Sequence, residues 1–252
     1  MPKVSIIVLQ YNQSSRTLAC LESLRPIDAD VIIMDNGSDV EHLKNVEYWI
    51  ENHKAIGYQL LAINSNLGYS GGNNAGIKFA LENGAEYVLI LNNDVVVEPD
   101  FLKKMLEVDA DIVGVKEEIV FGFHYLSGVA LLMKKILFFD ERYFLYYEDV
   151  ELSVRAPKTG FKLGTANARY THAVSATTKS LGNADLLYYH TRNMFLLLYT
   201  HGAWYVRLAL PFWAFWIKLK QKIKLIFNED AEISLAIIES VKDYRQNKFG
   251  KR

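Results

Sequence analysis

The chain has 252 residues, of which 50% are hydrophobic, and a formal net charge of −1. This length suits one large domain, or one domain with an appendage, and it is enough to bury a sizeable core. The near-neutral charge gives no electrostatic argument for nucleic acid, and we expect no such partner. A single cysteine, Cys20, excludes a disulfide framework and favours a cytosolic setting. The N-terminal segment has one basic residue and a short apolar core, so we predict no signal peptide.

Strands and helices alternate over the first 116 residues. Apolar, β-branched runs predict strands at residues 4–9, 31–34, 58–63, 87–91 and 112–115. The helices between them are predicted to be capped by Ser14 or Ser15 and by Asp39, and a later one to begin with Pro99 at its first position. Repeated strand–helix units indicate an α/β fold with a mostly parallel sheet, helices on both faces and right-handed crossovers.

Polar clusters follow four of these strands. They are Gln10-Tyr11-Asn12, Asp35-Asn36-Gly37-Ser38, Asn64-Ser65-Asn66 and Asn92-Asn93-Asp94. Each cluster alone is compatible with an ordinary turn. Ligands of open α/β sheets, however, bind outside the carboxyl ends of the strands. Since all four clusters fall at that edge, the sequence predicts a binding site there.

The loop at 64–77 and the Asn-Asn-Asp cluster predict the chemistry of that site. The loop lacks both the dinucleotide fingerprint and the P-loop spacing. Gly71 and Gly72, predicted to precede a helix, would let the backbone approach an anion, and Asn73 would add an amide donor. A phosphate or diphosphate ligand is therefore expected. Asp94, beside a diphosphate, is a suitable ligand for Mg²⁺.

After residue 120 the alternation ends, and an aromatic segment leads to Glu148 and Asp149. These acids are either a favourable first helical turn or a general base whose pKa is raised by aromatic surroundings. His172 follows a short strand-like stretch, and it is either structural or a metal ligand facing Asp94. The next segment, 186–200, is predicted to be helical.

Seven segments in a fixed order resemble the inverting glycosyltransferases of family 2, particularly the branch of rhamnosyltransferases. They extend from Val4 to about Leu198 and are VSIIVLQYN, VIIMDNGSDV, NSNLGYSGGNNAGI, YVLILNNDVVVEPDFL, LSGVALLMKK, FDERYFLYYEDVELSVRAPKTGFKL and RYTHAVSAT. The resemblance implies a GT-A fold with a nucleotide-binding half and an acceptor half. Asn92-Asn93-Asp94 supplies one carboxylate where the family pattern has two.

The resemblance also implies roles for individual residues. Asp149 would be the base that deprotonates the acceptor hydroxyl, supported by Glu148. Asp94 and His172 would hold a divalent metal, Mg²⁺ or Mn²⁺. The residues expected to contact the nucleotide sugar are Tyr11, Asn12, Asp35, Asn66, Gly71, Asn73 and Asn93. The implied reaction transfers a sugar, rhamnose by resemblance, from a dTDP- or UDP-linked donor to a glycan or lipid-linked acceptor, with inversion.

The C-terminal tail is basic and aromatic. Residues 203–227 carry five basic residues, three of the four tryptophans and no acid. The apolar stretch is too short to span a membrane, but at 100° per residue one helical face collects Phe212, Phe215, Trp216, Leu219, Ile223, Ile226 and Phe227. This pattern predicts an interfacial helix at 204–227 on an anionic membrane surface. The alternative is a helix packed on the catalytic domain or on a dimer partner.

The predicted organisation is a GT-A domain at 1–200, divided at 116/117 into nucleotide-binding and acceptor halves, and a helical tail at 201–252. The protein is expected in the cytoplasm, peripheral on the inner face of the membrane. A nucleotidyltransferase would carry a Gly-rich, arginine-containing loop after the first strand, where this chain has QYNQSS. A catalytically degenerate, membrane-associated partner in a glycan assembly complex is the remaining alternative.

Overall fold

The structure is a computed structural model that describes residues 2–53, 57–172, 183–227 and 229–252. The strands are β1 Val4–Gln10, β2 Asp30–Asp35, β3 Tyr58–Ala62, β4 Tyr87–Asn92, β5 Val95–Val97, β6 Ile112–Gly114, β7 Glu117–Val120, β8 Phe123–Leu126, β9 Ala130–Met133, β10 Leu163–Thr165 and β11 Tyr170–His172. The helices are α1 Ser14–Leu24, α2 Val40–His53, α3 Gly68–Glu82, α4 Phe101–Leu106, α5 Glu148–Lys158, α6 Asn183–His201, α7 Trp204–Ile226 and α8 Ala231–Arg245.

The central sheet confirms the predicted α/β architecture. Its strand order within the described residues is β10-β6-β9-β4-β1-β2-β3. Every neighbouring pair is parallel except those of β9, which runs antiparallel to both β4 and β6. Because β1 lies between β2 and β4, the carboxyl ends of these three strands are adjacent.

Helices cover both faces of this sheet because successive residues of each buried strand point in opposite directions. Ile6 and Val8 of β1 pack in one core cluster with residues of α1, α2 and α4. Ile7, between them in the chain, packs in a second cluster with residues of α3 and α5. Continuous apolar strands of this kind are typical of parallel sheets that are buried on both sides.

Three predicted helix starts differ from the structure. Ser14 is the first residue of α1 rather than its cap; Gln13 precedes it, and the Ser14 hydroxyl lies 3.0 Å from Nδ1 of His42. Helix α4 begins at Phe101, two residues beyond Pro99. The third case, α3, affects the candidate site and is described with it. The hairpin β7–β8 and the β5–β11 pair were not predicted, since they are short and partly exposed.

Two compact units divide the chain: Met1–Asp140 with Glu148–Val174, and Glu141–Tyr147 with Ser175–Arg252. The first holds the sheet. The second holds the described helices α6, α7 and α8. The predicted division into a domain at 1–200 and a tail at 201–252 stays a prediction. Helix α6 is fixed to α8 by a hydrogen bond from Tyr188 Oη to Asp243 Oδ2 of 2.7 Å and by the stacked rings of Phe195 and Tyr244.

Helix α7 has a packed side and an exposed apolar side. Leu210, Ala214 and Gln221 are buried, and Gln221 Oε1 accepts a hydrogen bond of 3.1 Å from Ser234 Oγ of α8. Most of the predicted apolar face is exposed, namely Phe212, Phe215, Trp216, Ile223, Ile226 and Phe227. Trp213, which is not part of the predicted face, is also exposed, and Leu219 is half-buried. Among the described helices, none is both long and apolar enough to cross a bilayer.

Candidate functional site

The ends of β1 and β2 hold the first group of predicted site residues. Gln10 and Asp35 are opposite each other in the parallel register, and Gln10 Nε2 donates to Asp35 Oδ2 at 2.9 Å. The other carboxylate oxygen of Asp35 accepts from the Ser38 N–H at 2.9 Å. These bonds fix the orientation of a carboxylate that is 2% exposed. A carboxylate oxygen has two lone pairs, so each oxygen keeps capacity for a further donor.

Asn12 and Tyr11 lie just beyond β1. Asn12 adopts a positive φ of 50°, its N–H donates to Ser38 Oγ, and its Oδ1 accepts from the Asp39 N–H at 2.7 Å. Asn12 therefore ties the loop after β1 to the loop after β2. The ring of Tyr11 is 37% exposed, which leaves it available for stacking on a planar ligand.

Helix α3 begins at Gly68, so the prediction that Gly71 and Gly72 precede the helix is wrong. The early start has a local cause. Oδ1 of Asn66 accepts from the Gly68 N–H at 2.8 Å, and Oδ1 of Asn36 accepts from the Leu67 N–H at 2.9 Å. These side-chain acceptors satisfy N–H groups at the helix N-terminus that have no partner within the helix.

The glycines of α3 allow close packing against the sheet. A Cβ on Gly72 would approach Leu9 Cδ1 to 2.5 Å, and one on Gly76 would approach Ile7 Cγ2 to 2.7 Å. Asn73, between them, is fully buried. Its Nδ2 donates to Tyr69 O at 3.0 Å, whereas its Oδ1 has no partner among the described residues. A role for Gly71 or Asn73 at a diphosphate stays a prediction.

The turn at Asn93-Asp94 is held by α1, a contact that the sequence did not reveal. Nδ2 of Asn93 donates to Thr17 Oγ1 at 3.0 Å, and Cys20 Sγ lies 3.7 Å from Asn92 O. Burial raises the pKa of the Cys20 thiol to about 12, with a further contribution from the nearby Asp94. The valines that follow the turn form β5, which pairs with β11.

Arg16 of α1 lies beside Asp94, which is 8% exposed, with Nη1 3.7 Å from Asp94 Oδ2. A divalent cation prefers oxygen ligands, and Mg²⁺ commonly takes one or two protein carboxylates plus substrate phosphates. Within the described residues, no three His, Cys, Asp or Glu side chains form a ready metal cluster. The donor set therefore fits a metal that arrives with a diphosphate, and Arg16 offsets part of the charge of Asp94 until then.

The backbone of His172 is placed, but its side chain lies outside the described residues. His172 is opposite Val95 in the antiparallel β5–β11 register. Val95 directly follows Asp94 in the chain. The backbone of His172 is therefore paired with the residue next to the predicted metal ligand. Its proposed coordination of the metal stays a prediction.

Asp149 is held at the same sheet edge through Gly128. The Asn92 N–H donates to Val129 O at 3.0 Å, and the neighbouring Gly128 N–H donates to Asp149 Oδ2 at 2.9 Å. The other carboxylate oxygen of Asp149 accepts from the Val150 N–H at 2.8 Å. Oη of Tyr69, from α3, donates to Gly128 O at 2.5 Å. Parts of α3, β4 and α5 thus converge on the segment that precedes β9.

Burial governs the electrostatics of the Glu148-Asp149 pair. It raises the pKa of Asp149 to about 6, even though the N–H groups of Gly128 and Val150 stabilise the carboxylate. Burial, followed by repulsion from Asp149, raises the pKa of Glu148 well above its usual range. Oε2 of Glu148 has no hydrogen-bond partner among the described residues. Of the two acids, Asp149 is the one prepared to act as a base near neutral pH.

A comparison with protein families matches residues 5–113 to the model of glycosyl transferase family 2. Among curated proteins, the chain is similar to the low-salt glycan biosynthesis hexosyltransferase Agl10 of Haloferax volcanii. The two are 23% identical over 203 residues, which cover 64% of this chain and 64% of the relative. The match thus spans less than two thirds of the relative's length.

Two solved structures share the fold. The mannosyltransferase PcManGT from Pyrobaculum calidifontis, in complex with GDP-Man and Mn²⁺, is 14% identical, with a TM-score of 0.64 over 98% of this chain and 88% of its own. Residues 1–349 of S. aureus TarS, in complex with UDP-GlcNAc, are 15% identical, with a TM-score of 0.58 over 98% and 92%. They confirm the predicted GT-A-like fold. The family match covers less than half of this chain, so the comparisons show a similarity to family 2 glycosyltransferases and a shared fold.

Proposed function

We propose that the protein is an inverting glycosyltransferase that moves a sugar from a nucleoside-diphosphate donor to a hydroxyl of a glycan or lipid-linked acceptor. The observation that carries this proposal is the placement of Asp149. It is a half-buried carboxylate oriented by two backbone N–H groups, and residues 128–129 connect it to Asn92 at the end of β4, two residues before Asp94. Rhamnose as the sugar, and dTDP or UDP as the nucleotide, rest on the resemblance described above.

The reaction is a single displacement. Asp149 accepts the proton of the acceptor hydroxyl as its oxygen attacks the anomeric carbon, and the bond from that carbon to the donor diphosphate breaks on the opposite side. The configuration therefore inverts, and no covalent sugar–enzyme intermediate forms. Tyr11 and Asp35 position the nucleoside. Asp94, with His172 as the expected second ligand, would hold a divalent metal, which would supply charge neutralisation on the diphosphate.

Replacement of Asp149 by asparagine tests the base. We expect D149N to lower kcat by about 10²- to 10⁴-fold, the range typical of a lost general base, while nucleotide binding persists. The assay follows release of nucleoside diphosphate from a panel of sugar nucleotides with Mg²⁺ or Mn²⁺. A matched control is D109N, which removes a carboxylate from an exposed surface pair with Lys162. Full activity of D149N would remove Asp149 from the mechanism.

The pH dependence gives a second test of the same residue. A base works in its ionised form, and the pKa of Asp149 is raised to about 6. The kcat/KM of the wild-type protein should therefore rise as the pH increases through about 6 and then level off. A rate that falls with rising pH over this interval would contradict the assignment.

For the tail, the exposed aromatic face of α7 supports contact with an anionic membrane surface. Lys220 and Lys222 are exposed on the same helix, and lysine side chains reach lipid headgroups while aromatic residues enter the interface. The burial of Leu210, Ala214 and Gln221 supports this reading, because α7 packs on a different side.

Co-sedimentation with anionic vesicles tests the membrane proposal. Binding should weaken with salt, because headgroup attraction is screened, and F212S/W216S should reduce it further. The control is Y48S, which removes one exposed aromatic ring from α2 and leaves α7 unchanged. Binding that is unaffected by F212S/W216S would rule out the aromatic face.

A further inference from the structure

The second compact unit, which holds α6, α7 and α8, contains an open cavity of about 590 Å³ that the proposed reaction does not use. Three arginines line it, each from a different segment: Arg142 precedes α5, Arg207 lies on α7, and Arg245 ends α8. No aspartate or glutamate is among the described residues that line the cavity. Its formal charge is therefore +3.

Three acidic side chains of this unit have partners outside the cavity. Arg252 pairs with Asp185 at 2.6 Å and with Glu239, and Asp243 accepts from Tyr188. Nε of Arg207 donates to Gly202 O at 3.0 Å. Neither Arg207 nor Arg245 forms an ion pair within the described part of the chain. The positive charges of Arg207 and Arg245, which line the same cavity, repel each other, and an anion between them would relieve that repulsion.

The cavity is built on an ordered frame. The carbonyl of Arg142 accepts from the Gly250 N–H at 3.2 Å and from Arg192 Nη2 at 3.5 Å, and Arg192 is almost fully buried. The aromatic wall includes Tyr199 and Tyr244, which meet edge to face at 6.5 Å. The arginines thus extend from fixed backbone. Guanidinium groups bind phosphate oxygens through paired hydrogen bonds.

Apolar surface adjoins one of the three arginines. On α7, Trp204 lies three residues before Arg207 and Leu208 directly follows it; each of the two apolar side chains is 72% exposed. A phosphate in the cavity that belongs to a lipid could therefore place its apolar part against α7. A soluble phosphate would use the arginines alone.

We propose that this cavity binds a phosphate or diphosphate group, carried by a lipid at the surface that α7 contacts. The lipid source rests on the proposed membrane contact of α7, whereas anion binding depends on neither Asp94 nor Asp149. The acceptor of the transferase would then be a lipid-linked glycan held by its phosphate.

The test uses the full chain and two probes: inorganic pyrophosphate in calorimetry, and vesicles containing phosphatidic acid or phosphatidylserine at matched surface potential. The wild type should bind pyrophosphate and prefer phosphatidic acid, whose phosphate monoester fits paired guanidinium bonds. R207Q/R245Q should weaken the binding of pyrophosphate and of phosphatidic acid vesicles by at least about tenfold each. A hydrogen bond to a charged group is worth that factor or more. K218Q/K222Q removes the same charge from α7 outside the cavity and should keep the preference.

The outcomes separate the possible sources and errors. Pyrophosphate binding without a preference for phosphatidic acid would keep the anion site and overturn the lipid source. An equal loss of pyrophosphate affinity in R207Q/R245Q and K218Q/K222Q would overturn the cavity itself. If R207Q/R245Q does not fold, R207K/R245K keeps the charge but loses the planar fork, and it should still weaken pyrophosphate binding. Donor turnover is measured in parallel; its absence would reject the transferase while the anion site is still judged by pyrophosphate.

Discussion

Gly128 is the residue at which the candidate base is most sensitive to change. A Cβ there would lie 3.2 Å from Asp149 Cβ and 3.2 Å from Tyr69 Oη, so G128A should push the carboxylate away from its present position. We expect kcat to fall by about tenfold to a hundredfold, because small misplacements of catalytic groups have effects of this size. The donor KM should change little.

Tyr69→Phe offers a second way to disturb the same position. It removes the hydroxyl that donates to Gly128 O without adding an atom. It should lower kcat and shift the lower limb of the pH–rate profile. Tyr48→Phe, at an exposed position of α2, is the matched control. A loss of thermal stability with an unchanged pH–rate profile would show that the contact is only structural.

The buried carboxyl group of Glu148 should make the free energy of unfolding of the protein fall as the pH rises. Its folded-state pKa is raised above the usual value of 4.5, mainly by burial. Above the unfolded-state pKa the unfolded chain releases the proton while the folded protein retains it, so stability falls with pH. E148Q, which cannot ionise, should gain about 1–3 kcal/mol over wild type at alkaline pH and less at pH 5. Urea unfolding from pH 5 to 9 measures this. E51Q serves as the surface control. A difference in the free energy of unfolding between E148Q and wild type that does not change with pH would contradict the prediction.

Arg16 should oppose metal binding in the absence of nucleotide. Its guanidinium Nη1 lies 3.7 Å from Asp94, and like charges raise the free energy of an approaching cation. R16Q should bind Mn²⁺ alone several-fold more tightly than wild type, as measured by the EPR signal of free Mn²⁺. R25Q removes an equivalent charge farther along α1, where Arg25 pairs with Glu22, and should have no effect. Weaker Mn²⁺ binding in R16Q would reverse the assigned role.

At the scale of elements, the packing of α3 on β1 depends on having no side chain at Gly72 and Gly76. The nearest atoms would be 2.5 Å and 2.7 Å from a new Cβ, and overpacking of a filled core typically costs about 1–3 kcal/mol. G72A and G76A should each lower the free energy of unfolding by that amount. Lys78→Ala, on the exposed side of the same helix, should stay within about 0.5 kcal/mol. Urea midpoints decide between these outcomes.

The elements that the sequence predicts well are those whose signal is local. The apolar runs of β1, β2 and β4 place those strands to within about two residues, because burial on both faces demands such runs. The start of α3 was missed because its N–H groups are satisfied by Asn36 and Asn66, whose proximity depends on the folded loops. The insertion of β9 between β4 and β6 is likewise a tertiary choice that periodicity does not encode.

At the scale of the whole molecule, the predicted strand-end residues do lie at one edge of the sheet, since β2, β1 and β4 are adjacent. What the sequence lacked is the set of supporting contacts. Arg16 and Thr17 lie outside the seven family-like segments, and Tyr69 and Gly128 lie within them without a predicted role. Each of the four matters because a distant part of the chain packs against it. The three-arginine cavity was equally invisible, as its members are more than 30 residues apart in sequence.

The buried thiol of Cys20 is an intrinsic probe of local unfolding around α1. It is the sole cysteine in 252 residues, and with a pKa raised to about 12 it should hardly react while α1 covers the turn at Asn93-Asp94. The rate at which a disulfide reagent labels Cys20 would then report how often α1 opens away from this turn. We expect UDP with Mn²⁺ to slow labelling, because ligand binding to the closed form reduces the time spent open.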